Sequence, residues 1–202
     1  MKTLIFVLGF VIACSKETVE KASETGTIKY IEEEEEVKPA GVIPADDCQQ
    51  VNRGDKACNF TLFDQNGEVW ELYDHQGNVI LLDFSTMWCP PCQAAGHYMQ
   101  PLQDDYASQN VQVVTVLIDG PSYGVAPTEK DVDDWATQHN VTTAPVLQGS
   151  RELMYDSIGL EGYLIGSYPT YIYIDRNMKF YNAHVGYNDE YARQTIEEGL
   201  NL

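Results

Sequence analysis

Basic residues are scarce in this chain of 202 residues, which has 12 lysines and arginines against 31 aspartates and glutamates and a formal net charge of −19. A surface with so much negative charge repels the phosphates of DNA and RNA, so we expect no nucleic-acid partner. The acidic excess extends along the chain, because residues 48–202 alone contain 21 acidic and 7 basic residues. A solvated acidic surface accounts for this composition, and a preference for basic partners is the alternative.

Long apolar segments are also lacking. The apolar run near the N-terminus, residues 4–13, has ten residues, whereas a helix needs about 20 to cross a bilayer. Because Lys2 precedes it, the run is typical of the apolar core of a secretory signal peptide.

The end of that run, Val-Ile-Ala-Cys-Ser at residues 11–15, resembles the lipobox of bacterial lipoproteins. The resemblance implies a signal peptide over residues 1–13, cleavage before Cys14 and acylation of Cys14. The expected location is the bacterial cell envelope, with a lipid anchor in the membrane and the protein facing the periplasm or extracytoplasmic side. An ordinary signal peptide with an incidental cysteine is the alternative.

Composition divides the rest of the chain into two parts. Residues 14–47 include a run of glutamates at residues 32–36 and no sustained apolar periodicity. Like charges in a run repel one another, so this segment is predicted to be an acidic flexible tether. From residue 48 the composition is that of a globular protein, and we place the folded domain at residues 48–202.

Apolar periodicity predicts alternating strands and helices within the domain. The predicted strands cover residues 59–64, 68–72, 79–84, 111–118, 171–175 and 179–185, and the predicted helices cover residues 89–107, 128–139, 151–158 and 189–200. Gly67 favours a turn between the first two strands, and Thr128 with Asp131 is typical of a helix N-cap. The pattern predicts an α/β fold, a three-layer sandwich with a central mixed sheet and an N-terminal β-hairpin.

Two cysteines separated by two residues, Cys89 and Cys92, follow the predicted buried strand and open the predicted helix. Such a pair can close and reopen a disulfide ring, and at a strand-to-helix junction it is typical of a redox dithiol. A zinc half-site is the alternative, but it needs two further ligands, and none of the four histidines has matching spacing. We therefore expect a thiol redox centre with no metal and no bound cofactor.

The sequence Trp-Cys-Pro-Pro-Cys at residues 88–92, placed after a hydrophobic strand, resembles the active site of the thioredoxin superfamily. Over residues 58–202 the chain is similar to the exported thiol–disulfide oxidoreductases of TlpA/ResA type within that superfamily. Further matching segments lie at residues 59–62, 77–82 and 167–175. The resemblance implies a thioredoxin-like fold and thiol–disulfide oxidoreductase activity.

Each residue of the motif has an expected role. Cys89 is predicted to lie at the helix N-terminus, where unpaired N–H groups and the helix dipole stabilise a thiolate, so it is the expected nucleophile. Cys92, about one turn further on, is the expected resolving thiol. Pro90 and Pro91 suit a first helical turn and stiffen the ring. With Trp88, these prolines are assigned to the substrate-binding surface.

The resemblance identifies three more site residues. Asp83 lies six residues before Cys89, at the offset where thioredoxin has a buried acid, and is expected to accept the proton of Cys92 with a pKa raised by desolvation. Pro169 matches the cis-proline that faces the dithiol, and the backbone of Tyr168 is expected to pair with substrate like an added strand. The alternatives are a surface aspartate without a role and an ordinary trans proline.

Two features depart from the family pattern. His97 stands where many members have a proline in the active-site helix, and the nearest proline is Pro101. We therefore expect a helix that is longer by a turn or kinked later, with His97 on its surface. Cys58 stands where relatives often have proline, and it is expected to form a structural disulfide with Cys48 in an oxidising compartment. The alternative is that Cys48 and Cys58 exchange electrons with the active-site pair.

These features predict a cell-envelope enzyme that reduces disulfides of exported proteins through Cys89 and Cys92. The resemblance implies a membrane electron donor of DsbD/CcdA type and apocytochrome c among the candidate substrates. A peroxiredoxin-like thiol peroxidase is one alternative, because Thr86 and Cys89 match part of its signature, although Leu82 replaces its upstream proline. The other alternative is a tethered redox sensor or binding module that uses the fold for recognition.

Overall fold

The computed structural model describes residues 50–154 and 162–202, and a five-stranded sheet forms its centre. In chain order, the strands are β1 (Gln50–Val51), β2 (Thr61–Phe63), β3 (Val69–Glu71), β4 (Val79–Thr86), β5 (Val111–Asp119), β6 (Val146–Gln148), β7 (Gly162–Tyr163), β8 (Thr170–Ile174) and β9 (Phe180–Val185). The helices are α1 (Pro90–Gly96), α2 (Met99–Tyr106), α3 (Glu129–His139) and α4 (Asp189–Leu200), with 3₁₀ helices at Leu72–His75 and Arg151–Leu153.

Several predictions fall on parts of the chain outside the described residues. The signal peptide, Cys14, the acidic tether and Cys48 are among them, so these stay predictions. The predicted helix at residues 151–158 is wrong over its described part, because a 3₁₀ helix ends at Leu153 and Met154 is extended and forms a β-bridge with Tyr163. Residues 155–158 lie outside the described ranges. Within the described ranges, none of the helices has the length and hydropathy needed to span a membrane.

The central sheet has the strand order β6-β5-β4-β8-β9. Strands β4, β5 and β6 are parallel, β8 is antiparallel to β4, and β9 is antiparallel to β8, which confirms the predicted mixed sheet. Strand β4 lies in the middle with all of its residues buried, which explains its nearly continuous apolar sequence. Its carboxyl end and that of β5 meet at one edge of the sheet, where the cysteine pair follows.

Different layers cover the two faces of the sheet. On one face, Leu81, Val113 and Tyr173 pack against apolar side chains of α2 and α4. On the other face, Ile80 and Leu82 pack against apolar side chains of β1 and of the antiparallel hairpin β2–β3. The sandwich therefore has three layers, as predicted, and the N-terminal hairpin belongs to the layer opposite α2 and α4.

The predicted helix at residues 89–107 is interrupted at His97 and Tyr98, so the alternative of one helix longer by a turn is wrong, and the interruption agrees with the alternative of a later kink. Helix α1 ends at Gly96, and α2 begins two residues before Pro101. Proline has no N–H for the carbonyl four residues earlier, which is that of His97, and its ring would clash with that carbonyl. The first helix therefore stops before His97, and Pro101 lies in the first turn of the second helix, where no such bond is needed.

Gly96 lets α1 approach α3 closely. A Cβ at this position would lie 2.8 Å from the ring of His139, which is closer than packed atoms approach. His97 is exposed at the junction of α1 and α2, and its ring meets that of His139 edge to face at a centroid distance of 4.5 Å. Burial lowers the pKa of His139 to about 4, so its ring is neutral at physiological pH.

Local signals correctly predict the start of the other two helices. The hydroxyl of Thr128 accepts a hydrogen bond from the N–H of Asp131, and the Asp131 carboxylate accepts one from the N–H of Thr128 at 2.8 Å. This capping box confirms the predicted start of α3. Helix α4 covers the predicted residues 189–200, and the side chain of Asn188 caps its N-terminus.

Candidate active site

The two cysteines of the dithiol lie where β4 leads into α1. Cys89 is the N-cap residue of α1, and Cys92 lies in its first turn. Both thiols are free; 5% of Cys89 is exposed and none of Cys92. Pro90 and Pro91 occupy the first helical positions, where a backbone N–H has no partner in the helix. Cys89 is therefore the thiol that a substrate disulfide can reach.

The loop before β8 closes over Cys89. The Cys89 thiol donates a hydrogen bond to the carbonyl of Tyr168 at 3.6 Å, and the peptide bond between Tyr168 and Pro169 is cis. The carbonyl of Pro169 accepts a hydrogen bond from the N–H of Gly186 at 2.9 Å, which ties this loop to the end of β9. The structure thus brings the motif and the predicted proline loop together around one sulfur.

Asp83 lies on β4 beneath the dithiol and is fully buried, as predicted. Its Oδ1 accepts a hydrogen bond from the hydroxyl of Ser85 at 2.7 Å, and its Oδ2 accepts a longer one from Thr115 at 3.5 Å. Burial raises the pKa of Asp83 to about 7, because so few donors replace the lost water. The carboxyl group can therefore take up or release a proton near neutral pH.

Cys92 and Asp83 influence each other's protonation. Burial raises the pKa of the Cys92 thiol, and the hydrogen bond to Cys89 and the negative charge of Asp83 raise it further. A thiol in these surroundings stays protonated at neutral pH, and it must lose its proton before it can act as a nucleophile. The site therefore pairs a protonated buried thiol with a carboxylate of suitable basicity.

Trp88 is held by an ion pair between the buried Asp119 and the partly exposed Arg151, two residues that the sequence did not identify. Its indole N–H donates to Oδ2 of Asp119 at 3.0 Å, and Arg151 binds both oxygens of that carboxylate at 2.8 and 2.6 Å. Burial opposes ionisation of Asp119, but hydrogen bonds from Arg151, the Gly124 N–H and Trp88 outweigh it and lower the pKa of Asp119. The position of Asp119 at the end of the strand parallel to β4, in register with Thr86, is the signal that could have identified it.

Aromatic side chains surround the entrance to the dithiol. The ring of Trp88 lies 5.4 Å from that of Tyr123 and 6.0 Å from that of Tyr168, measured between centroids. The guanidinium of Arg151 lies 4.2 Å from the ring centroid of Tyr123, within cation–π distance. Since 37% of Trp88 and 72% of Tyr123 are exposed, this rim presents apolar surface to solvent beside Cys89.

We expect replacement of Arg151 by methionine to destabilise the fold by about 2 kcal/mol, because it leaves the buried Asp119 carboxylate without its charged partner. Release of Trp88 from Asp119 should also change the fluorescence of the native protein. Urea unfolding measures the first effect and an emission spectrum the second. As a control, Lys130→Met removes an exposed ion pair with Asp134 and should leave the midpoint unchanged. Equal stability of both variants would contradict this account.

Of the predicted structural disulfide between Cys48 and Cys58, the structure describes Cys58. Cys58 is disulfide-bonded, and because Cys48 lies outside the described residues, their pairing stays a prediction. In residues 50–154 and 162–202, no three or more His, Cys, Asp or Glu side chains are grouped so as to hold a metal ion.

A free dithiol at a helix start, facing a cis-proline loop on this mixed sheet, defines a thioredoxin-like thiol–disulfide oxidoreductase, and the protein is an enzyme of that class. It is 32% identical over 136 residues to the thiol-disulfide oxidoreductase ResA of Oceanobacillus iheyensis. The matched region covers 65% of this chain and 64% of that protein. It is 27% identical over 149 residues to ResA of Halalkalibacterium halodurans, with coverage of 74% and 76%.

Solved structures and a family comparison agree with this class. A DsbE-type thiol:disulfide interchange protein from Chlorobium tepidum is 30% identical, with a TM-score of 0.57 over 74% of this chain and 99% of that one. The exposed lipoprotein thioredoxin of Streptococcus pneumoniae is 26% identical, with a TM-score of 0.57 and coverage of 69% and 98%. The model of the AhpC/TSA family matches residues 53–182, and the chain belongs to that family. The predicted thioredoxin-like fold and the resemblance to ResA-type oxidoreductases are thereby confirmed.

Proposed function

We propose that this enzyme reduces disulfides of exported proteins in the bacterial cell envelope, with Cys89 as the attacking thiol, Cys92 as the resolving thiol and Asp83 as the proton acceptor. The observation that carries the proposal is the free dithiol placed directly above a buried carboxyl group whose pKa is about 7. The residues proposed as nucleophile, resolving thiol and base thus lie together in one site.

In the first step, the Cys89 thiolate attacks one sulfur of the substrate disulfide. A new S–S bond joins Cys89 to the substrate, the substrate's own S–S bond breaks, and the other substrate sulfur leaves as a thiolate that takes a proton from water. The side chains of Trp88, Pro90 and Pro91, with the backbone of Tyr168 and Pro169, form the proposed binding surface for this segment of the substrate.

In the second step, Asp83 accepts the proton of Cys92, and the resulting thiolate attacks the sulfur of Cys89. The bond between Cys89 and the substrate breaks, the second substrate sulfur leaves as a thiolate that takes a proton from water, and Cys89 and Cys92 become a disulfide. Two electrons have then passed from the dithiol to the substrate. Regeneration requires an electron donor, which we propose to be a membrane protein of DsbD/CcdA type.

The electrostatics of Cys92 support the reducing direction. A dithiol becomes an oxidant when its surroundings stabilise the thiolate of its reduced form. Here burial and the charge of Asp83 act against a negative charge on the Cys92 sulfur, so the reduced form gains no such stabilisation from this residue.

The proposed location rests on the lipobox-like sequence ending at Cys14 and on the name of one relative, an exposed lipoprotein thioredoxin. Cleavage before Cys14 and its acylation would anchor the protein to the membrane, with residues 14–47 as the tether of the catalytic domain. Exported proteins with disulfides, apocytochrome c among them, are the proposed substrates.

A Cys92→Ala variant of the full chain tests the proposal, because it can form the mixed disulfide but cannot resolve it. Exported proteins linked to Cys89 through disulfides should be recovered from cells and released by a reducing agent. The matched control is Cys89→Ala, which keeps every other cysteine of the chain and, within the dithiol, leaves the fully buried Cys92, so it should capture none of these proteins. Absence of linked proteins from both variants would support the redox sensor instead, and rapid consumption of peroxide by the wild type would support the peroxidase.

A further inference from the structure

A row of polar side chains crosses the central sheet at the level of Asp83. In register, Asp83 on β4 pairs with Thr115 on β5 and with Tyr171 on β8, and Tyr171 in turn pairs with His184 on β9. Residues that pair in register point to the same face of a sheet and lie side by side. The row therefore extends from the proposed base to the last strand of the sheet, on the face that carries the dithiol.

The hydroxyl of Tyr171 is buried and has no hydrogen-bond partner among the described residues. It nevertheless faces Asp83 closely enough to lower the pKa of that carboxyl group. Burial, followed by the charges of Asp83 and Cys92, raises the pKa of Tyr171 itself, so its hydroxyl keeps its proton. A buried group that can donate thus lies beside a carboxylate that is short of donors.

The Asp83 carboxylate is short of donors on one side. Ser85 donates to Oδ1 at 2.7 Å, whereas the bond from Thr115 to Oδ2 is stretched to 3.5 Å. Each carboxylate oxygen can accept two hydrogen bonds, and the need for them is greatest when the group is ionised in a buried site. Oδ2 is therefore the atom at which a further donor would matter.

We propose that Tyr171 is a positioning residue of the reductase reaction, whose hydroxyl donates to the ionised Asp83 carboxylate and holds it ready for the proton of Cys92. The inference rests on the proposed role of Asp83 as the base. It deepens that role, because the ionised carboxylate of Asp83 would then be held by a hydrogen bond from β8 as well as by one from its own strand.

None of the other titratable groups described around this row can replace the Tyr171 hydroxyl as a donor to Asp83. The polar groups that face Asp83 are Cys92 from α1, Ser85 from β4, Thr115 from β5 and Tyr171 from β8. Tyr173 of β8 is affected by the charge of Asp83 but is not among its hydrogen-bond donors. Two further rings contact that of Tyr171, His184 of β9 and Tyr187 before α4, at 4.9 and 5.6 Å between centroids. Burial lowers the pKa of His184, so at neutral pH it adds no positive charge that could take the place of the hydroxyl.

The test compares Tyr171→Phe with Tyr173→Phe. Tyr173 lies on the same strand and face, its hydroxyl is also buried without a partner among the described residues, and its ring also contacts His184, but its register partner is Leu81. The reduced full-length protein is mixed with 5,5′-dithiobis(2-nitrobenzoate). The first thionitrobenzoate is released by the attack of Cys89, and the second by the resolving attack of Cys92, so the second phase reports the step that uses Asp83.

Tyr171→Phe is expected to move the pH midpoint of the second phase upward by about one unit, which lowers its rate about fivefold at pH 7. Tyr173→Phe should keep the wild-type profile, and in an Asp83→Asn background Tyr171→Phe should have no further effect. A wild-type profile for Tyr171→Phe, or equal shifts in both phenylalanine variants, would overturn the inference while leaving the proposed function in place. An unchanged profile for Asp83→Asn alone would overturn the role of Asp83 and, with it, this inference.

Discussion

Replacement of Cys89 by serine is expected to lower the rate of disulfide reduction by at least about 1,000-fold, because a serine hydroxyl is not ionised near neutral pH and is a poor nucleophile toward sulfur. The remaining thiol, Cys92, is fully buried and protonated, so it cannot take over the first step. Turnover of a disulfide-bonded protein such as reducible insulin, with an excess of reductant, measures the loss.

The matched variant Cys92→Ser separates the two thiols. With Cys14 acylated and the disulfide of Cys58 intact, it should still release one equivalent of thionitrobenzoate from 5,5′-dithiobis(2-nitrobenzoate) at the wild-type rate and then stop, whereas Cys89→Ser should release almost none. The reverse pattern, with Cys89→Ser reacting and Cys92→Ser silent, would show that the roles of the two cysteines are exchanged.

Replacement of Asp83 by asparagine is expected to stabilise the fold at neutral pH while it slows the resolving step. Burial raises the pKa of Asp83 to about 7 in the native protein, whereas the usual pKa of an aspartate is 3.8. Stability from this residue is therefore fully present below about pH 4 and is lost as the pH rises to about 7. Three units of raised pKa correspond to about 4 kcal/mol.

Urea unfolding of the reduced proteins between pH 4 and pH 8 measures this difference. Near pH 4 the two proteins should have equal stability, because a protonated carboxyl group and an amide differ little in size and charge. Toward pH 8 the variant should become more stable by up to about 4 kcal/mol. A constant difference across the range, or a variant that is less stable at pH 8, would contradict the assigned burial and pKa of Asp83.

The site residues that the sequence predicted are those whose signals are local. Cys89 and Cys92 identify themselves by their spacing, and the burial of Asp83 follows from the apolar residues around it on β4. Pro101 is also a local signal and favours a kink, but the helix pattern continues across Gly96 and His97 in sequence, so it does not show that α1 ends completely at Gly96.

Residues that depend on long-range pairing could not be predicted in this way. Asp119 and Arg151 are 32 positions apart and meet only because β5 and the 3₁₀ helix at residues 151–153 lie side by side. Tyr171 reaches Asp83 only through the antiparallel register of β4 and β8. A one-residue slip of that register would turn Tyr171 to the other face, so its place beside the base is a property of the assembled sheet.

A single-turnover experiment tests the central claim most directly. The wild-type protein, with the Cys89–Cys92 dithiol reduced and the disulfide of Cys58 intact, is mixed with an equal amount of a disulfide-bonded peptide, and both products are analysed by mass spectrometry after acid quenching and alkylation. We predict that one peptide disulfide is reduced per protein and that the protein loses two hydrogens, with Cys89 and Cys92 joined in one disulfide. The account would be contradicted if the peptide were reduced while Cys89 and Cys92 of the protein remained thiols and were both alkylated. It would also be contradicted if the peptide stayed intact while peroxide oxidised the dithiol.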